Sequence, residues 1–128
     1  MKLNPDCIRD ILVSVEEMDY NSVYTIQKLH EKLPTYPIEQ LNYHCLQMMD
    51  AGLINAKSME AVRCNIPQVW RIFDLTYSGH QFLAEIRSDT IWNRTKDVAK
   101  GVGSESIRSL KDIAVSIITL AVQNKLGL

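Results

Sequence analysis

Apolar residues recur along this chain at helical spacing until about residue 52, and the pattern then changes. Ile8, Ile11, Leu12 and Val15 mark one buried stripe of a first helix, and Met18 stands where that stripe would continue. Asn4 suits the N-cap of this helix, and Pro5 fits its first turn, where a missing N–H is not felt. The polar stretch Asp19 to Ser22 breaks the pattern. A short second helix follows, with Thr25 as its cap and Ile26, Leu29 and Leu33 inward, and Pro34 stops it. The residues up to Pro37 read as a tight turn, because positions before proline avoid the helical region. A third helix runs from Pro37 to a glycine stop at Gly52. It turns Leu41, Cys45 and Met48 inward, with Ile38 and Met49 at the margins.

Two strands come next. Leu53 to Lys57 reads as one and Val69 to Leu75 as the other, joined by a loop of about ten residues containing Pro67. Together they predict an antiparallel wing. Thr76 caps a fourth helix in which Gly79 allows close packing and Phe82, Leu83 and Ile86 face a core. Ser88 or Asp89 restarts a helix through Ile91, Thr95, Val98 and Val102, which Gly101 and Gly103 interrupt. Ser104 then caps a last helix. The expected fold is mainly α with a small antiparallel β wing, a winged helix-turn-helix over 1–88 and a C-terminal helical extension over 89–128.

Two motifs carry a resemblance. Leu41, His44, Met48 and Ala51-Gly52-Leu53-Ile54 are spaced like the third-helix signature of winged-helix regulators. Leu75-Thr76-Tyr77-Ser78-Gly79-His80-Gln81-Phe82-Leu83 resembles the L-T-x-x-G-x-x-F-L element that follows the wing in many of them. With the opening Met1 to Leu12 and the segment Asp89 to Asn93, nearly the whole chain resembles a family of small proteins of unknown function from bacteria, phages and prophages. The resemblance implies a winged-helix fold and a mobile-element setting. It implies no activity and no functional residues.

Charge shapes the functional reading. The formal net charge is −1, yet the halves differ: residues 1–60 carry five bases against nine acids, and residues 61–128 nine against six. Such a chain is no general polyanion binder, so a nucleic-acid surface must be a local patch. In winged domains the third helix is the one usually offered to the major groove. Off its apolar face lie Gln40, Asn42, Tyr43 and Gln47, which suit base edges and phosphate. Lys57, Arg63 and Arg71 on the wing, and Lys28 and Lys32 on the second helix, are the phosphate candidates. Against this, the third helix has no Lys or Arg and carries Glu39 and Asp50. The leading expectation is a regulator of phage or prophage type that binds double-stranded DNA. The alternative is an interaction module that uses the same scaffold to bind a host or phage protein.

Other classes are weakly supported. No nucleophile elbow, phosphate loop or zinc-protease motif occurs, so no enzyme, cofactor or metal is expected. His44 and Cys45 are adjacent and diverge by about 100° on a helix, which does not suit shared ligation. Trp70 and Trp92 are expected to pack rather than to stack on bases. Cys7, Cys45 and Cys64 are odd in number and far apart, as in a reduced cytoplasmic protein. The opening residues lack a secretory signal core, and no apolar run approaches the roughly 20 residues of a membrane span.

The last helix poses its own question. From Ser104 to Leu126 it would extend roughly 33 Å. Ile107, Leu110, Ala114, Ile117 and Ala121 step by threes and fours, and Ile113, Ile118 and Leu120 widen the stripe. Three roles are open: packing on its own domain, forming a homodimer or higher oligomer, or lying on a membrane surface. The homodimer, through Ile107, Leu110, Ile113, Ile117, Ile118 and Ala121, is the leading expectation.

Overall fold

The computed structural model describes residues 1–127. They form two compact units, Met1–His80 and a second from Gln81 onward. The division falls inside the fourth helix. Six helices and a two-stranded antiparallel sheet make up the described residues, so the fold is mainly α with a small β wing.

In the first unit, α1 (Pro5–Glu16) begins where the Asn4 side chain accepts the backbone N–H groups of Asp6 and Cys7. Its stripe of Cys7, Ile8, Ile11, Leu12 and Val15 is buried. Helix α2 (Ile26–Lys32) starts with Lys28 donating its N–H to the Thr25 hydroxyl at 3.1 Å. Helix α3 (Ile38–Asp50) has no side-chain cap at Pro37, and Leu41, Cys45 and Met48 close the core beneath it.

The wing consists of β1 (Ile54–Met59) and β2 (Gln68–Leu75). Leu53, expected to open the strand, belongs instead to the exit of α3. Its N–H donates to the Met48 carbonyl at 2.9 Å, and Gly52 before it has φ +73°. Tyr24 adds a single bridge on the far side of β2, exchanging hydrogen bonds of 3.0 and 2.7 Å with Ile72. The β1–β2 ladder is irregular at two places, after Asn55 and after Lys57, and there Phe73 and Trp70 have no opposite residue. Such bulges bend and twist a strand and re-aim its side chains.

Helix α4 (Tyr77–Ile86) is joined to the wing base by its first turn. The Thr76 hydroxyl accepts the Gly79 N–H at 3.0 Å and donates to the Gly52 carbonyl at 2.5 Å. A side chain at Gly79 would place its Cβ 2.0 Å from the Leu53 carbonyl oxygen, so only glycine fits. The L-T-x-x-G spacing thus encodes a helix start welded to the end of α3.

In the second unit, α5 (Asp89–Val102) runs uninterrupted through Gly101 and ends at Gly103, whose φ is +74°. The cap of α6 (Ile107–Leu126) is Ser106, not Ser104: the Ser106 hydroxyl accepts the Ser109 N–H at 3.1 Å. Ser104 instead shares a 2.6 Å hydroxyl contact with Ser109. A four-residue connection makes α5 and α6 an antiparallel hairpin. Ala99 and Thr95 of α5 and Leu110, Ala114 and Ile117 of α6 are buried where the two helices pack. Leu110 and Ile117, expected to join two copies, are therefore used inside the chain. Ile107, Ile113 and Ile118 are half-covered, and Ala121 is exposed.

Candidate nucleic-acid interface

Helical phase sorts the polar side chains of α3. At 100° per residue, Gln40, Tyr43 and Gln47 fall within about 60° of one another, away from Leu41 and Met48. All three are half-buried, so each keeps part of its surface outward. Glu39 and Asp50 are exposed nearby, and Leu46 is half-covered. Tyr43 also meets the His44 ring edge to face, with centroids 5.6 Å apart.

Asn42 is a correction. It is 2 % exposed and cannot reach a ligand. Its Nδ2 donates to the Pro67 carbonyl at 3.1 Å, and its Oδ1 accepts the Val69 N–H at 2.8 Å. Both backbone groups lie where the loop enters β2. Asn42 therefore pins the wing to α3 and satisfies two backbone groups that the ladder leaves open.

His44 is likewise a positioning residue. It is fully buried, and its Nε2 accepts the Asn4 N–H at 2.8 Å. Its Nδ1 lies 2.7 Å from the Gln40 carbonyl. This pairing fixes the neutral ring with its proton on Nδ1. Burial lowers its pKa below the ordinary 6.5, only partly opposed by the Gln40 carbonyl. The imidazole has no face left for a metal or a substrate. The Tyr36 hydroxyl performs a similar task, donating to Asp10 at 2.6 Å and tying the α2–α3 turn to α1.

On the wing, Lys57 and Arg71 are direct cross-strand partners, and both are exposed. Like charges placed opposite each other are unfavourable. Each sits over an aromatic ring: Lys57 Nζ is 5.9 Å from the Phe73 centroid, and the Arg71 guanidinium is 4.2 Å from that of Trp70. The two rings belong to the two bulge residues, so the irregular ladder builds the pairing. Trp70, expected in the core, is 39 % exposed. Arg63 is exposed in the wing loop with φ +65°, a left-handed conformation that non-glycine residues rarely adopt. Sequence reasoning missed Trp70 and Phe73 because a bulge leaves no mark on strand composition.

The helix α2 lysines add less. Lys28 pairs with Glu31 at 3.4 Å on an exposed turn, which offsets its charge, and Lys32 is exposed. No group of three or more His, Cys, Asp or Glu among the described residues is arranged to hold a metal ion. Burial pushes the Cys7 thiol up to about 12 and raises Cys45 further, so both stay protonated, while Cys64 is exposed. Trp92 is buried, as expected of a packing residue. No helix of the described residues is long and apolar enough to cross a membrane.

Comparison with known proteins gives kinship. A protein of Haemophilus influenzae strain Rd, named "Uncharacterized protein", is 32% identical over 120 residues, covering 93% of this chain and 97% of the relative. No solved structure matches the chain. Residues 2–105, which include α3, the wing and α5, match the model described as "Hypothetical protein (DUF2513)", and the chain belongs to that family.

Proposed function

We propose that this protein is a non-enzymatic binder of double-stranded DNA, a regulator of phage or prophage type, that grips the duplex mainly through its wing. The observation that carries the reading is the Lys57–Arg71 pair. Two cations held opposite each other at the cost of mutual repulsion call for an anion between them. The phosphate backbone supplies such anions at regular spacing, and guanidinium–phosphate contacts are strong and directional. Arg63 and Lys32 add further phosphate contacts. Gln40, Tyr43 and Gln47 on α3 address base edges and sugar–phosphate groups, while Asn42 keeps the wing in register with that helix. Because α3 has no cation, sequence preference and affinity separate: α3 supplies the first and the wing the second.

Fluorescence anisotropy with a labelled duplex at about 50 mM salt tests the proposal, since phosphate contacts are strongest at low salt. Changing Lys57 and Arg71 together to alanine should weaken binding at least about tenfold for every duplex sequence, as loss of phosphate contacts does. An absence of binding to any duplex under these conditions sinks the proposal.

The acidic edge of α3, with exposed Glu39 and Asp50, favours a second reading: a module that docks a host or phage protein through this helix. A stoichiometric protein partner that is lost on changing Tyr43 and Gln47, together with indifference to DNA, would select it.

A further inference from the structure

The α5–α6 hairpin leaves an apolar cleft of about 380 Å3 on one side. Val98, Ile113, Ile117 and Leu120 line it, and Arg94 and Asp112 stand at its rim, one on each helix. Val98 is 40 % and Leu120 55 % exposed. The end of α6 is barer still. Every residue from Thr119 to Gly127 is exposed, among them Leu120, Ala121, Val122 and Leu126. Helix α6 has 20 residues against 14 in α5, so roughly 9 Å of it lacks an antiparallel companion at the standard rise. A terminal helical stretch without packing is marginal in water, because helices in proteins owe most of their stability to a buried face.

We infer that a second copy of this chain occupies the cleft, so that two α5–α6 hairpins close into a four-helix bundle. The patch is self-complementary, as a two-fold interface requires. A two-fold axis running along the helices lays α5 of one copy over α6 of the other. In an antiparallel hairpin whose helices end at Val102 and begin at Ile107, Arg94 and Asp112 lie within about one turn of the same height. That axis therefore brings Arg94 of each copy within side-chain reach of Asp112 of its partner, on both sides of a closed apolar centre. An axis across the helices at the level of the cleft would bring Arg94 toward Arg94 and Asp112 toward Asp112. Charge thus selects one arrangement. Asp112 already touches Arg108 of its own chain, but loosely, at 4.0 Å, with both side chains largely exposed. Such a contact yields readily to a better-covered partner. The surface is not the buried seam of Leu110 and Ala114 but the flank beside it, with Ile117 at the boundary between the two.

Sedimentation equilibrium of the full chain tests this. The wild type should be a dimer at about 100 μM, well above the dissociation constant expected of a packed bundle. Arg94→Glu alone and Asp112→Arg alone should each shift the chain to monomer, while circular dichroism stays unchanged. An equimolar mixture of these two variants should restore a dimer, because each copy then supplies the charge its partner lost. Arg108→Ala should leave the dimer intact. A monomeric wild type overturns the inference, and so does a mixture of the two variants that stays monomeric. A chain that is monomeric in solution but floats with anionic vesicles would give the flank to a membrane surface instead.

Discussion

Asn42 and His44 stand two residues apart on α3, and each does for the backbone what no ladder bond can. Asn42 ties the entrance of β2 to the helix, and His44 ties the start of α1 to it. The histidine makes its bonds as a neutral ring, which gives stability a pH dependence of defined sign. Its folded pKa is lowered, so the unfolded chain takes up the proton first as pH falls. The contribution is complete above the ordinary value of 6.5 and is lost below it, down to the lowered folded value. Urea midpoints should therefore be level above about pH 7 and decline as pH falls below about 6.5. His44→Gln, which retains a donor and an acceptor, should decline less over the same interval. Glu85 is raised by burial and acts with the opposite sign, so the wild type and the variant are compared at each pH. An equal decline in both would remove the assignment. The role of Asn42 was legible only in part. Its angle from Leu41 is close to that of Met49, at the margin of the inner face, yet its polar side chain is of a type that usually faces outward. Its partners, Pro67 and Val69, lie across a loop whose path no local pattern states.

At the scale of the element, the best-written feature is the passage from α3 through the wing into α4. Leu75 is buried, Thr76 caps, and Gly79 admits the Leu53 carbonyl. Because the obstruction at Gly79 is backbone, a substituent there cannot be met by a rotamer change. Gly79→Ala should lower unfolding stability by about 1–3 kcal/mol or more, the range for overpacking. The measurement is a denaturation curve, and an unchanged midpoint would show that α4 shifts without cost. This motif is legible from spacing because cap, apolar position and glycine act over a few residues. The wing is the counterexample. Alternation placed two strands and their order, but the bulges that expose Trp70 and seat Arg71 on it arise from register between strands. The start of α6 was displaced by two residues for a local reason. Ser104 and Ser106 are both able to cap, but Ser106 meets the N–H of Ser109 while Ser104 meets its hydroxyl.

For the molecule as a whole, the distribution of charge outweighs its sum. A net charge of −1 gives little general attraction to a polyanion, so any duplex affinity rests on a few local cations. That makes the salt dependence a count. Lys57, Arg63, Arg71 and Lys32 offer up to four phosphate contacts per chain. The logarithm of the binding constant should fall with the logarithm of salt concentration at a slope of roughly −3 to −4 per bound chain. Removing one wing cation, as in Arg71→Ala, should reduce that slope by about 1 and weaken binding evenly across sequences. Gln47→Ala, by contrast, should leave the slope unchanged and alter the preference among duplexes, because it carries no charge and sits on the helix face rather than the wing. The two variants thus move different observables. If Arg71→Ala left the slope untouched while Gln47→Ala abolished binding, the division of labour between wing and helix would have to be reversed, and the repulsion between Lys57 and Arg71 would need another explanation.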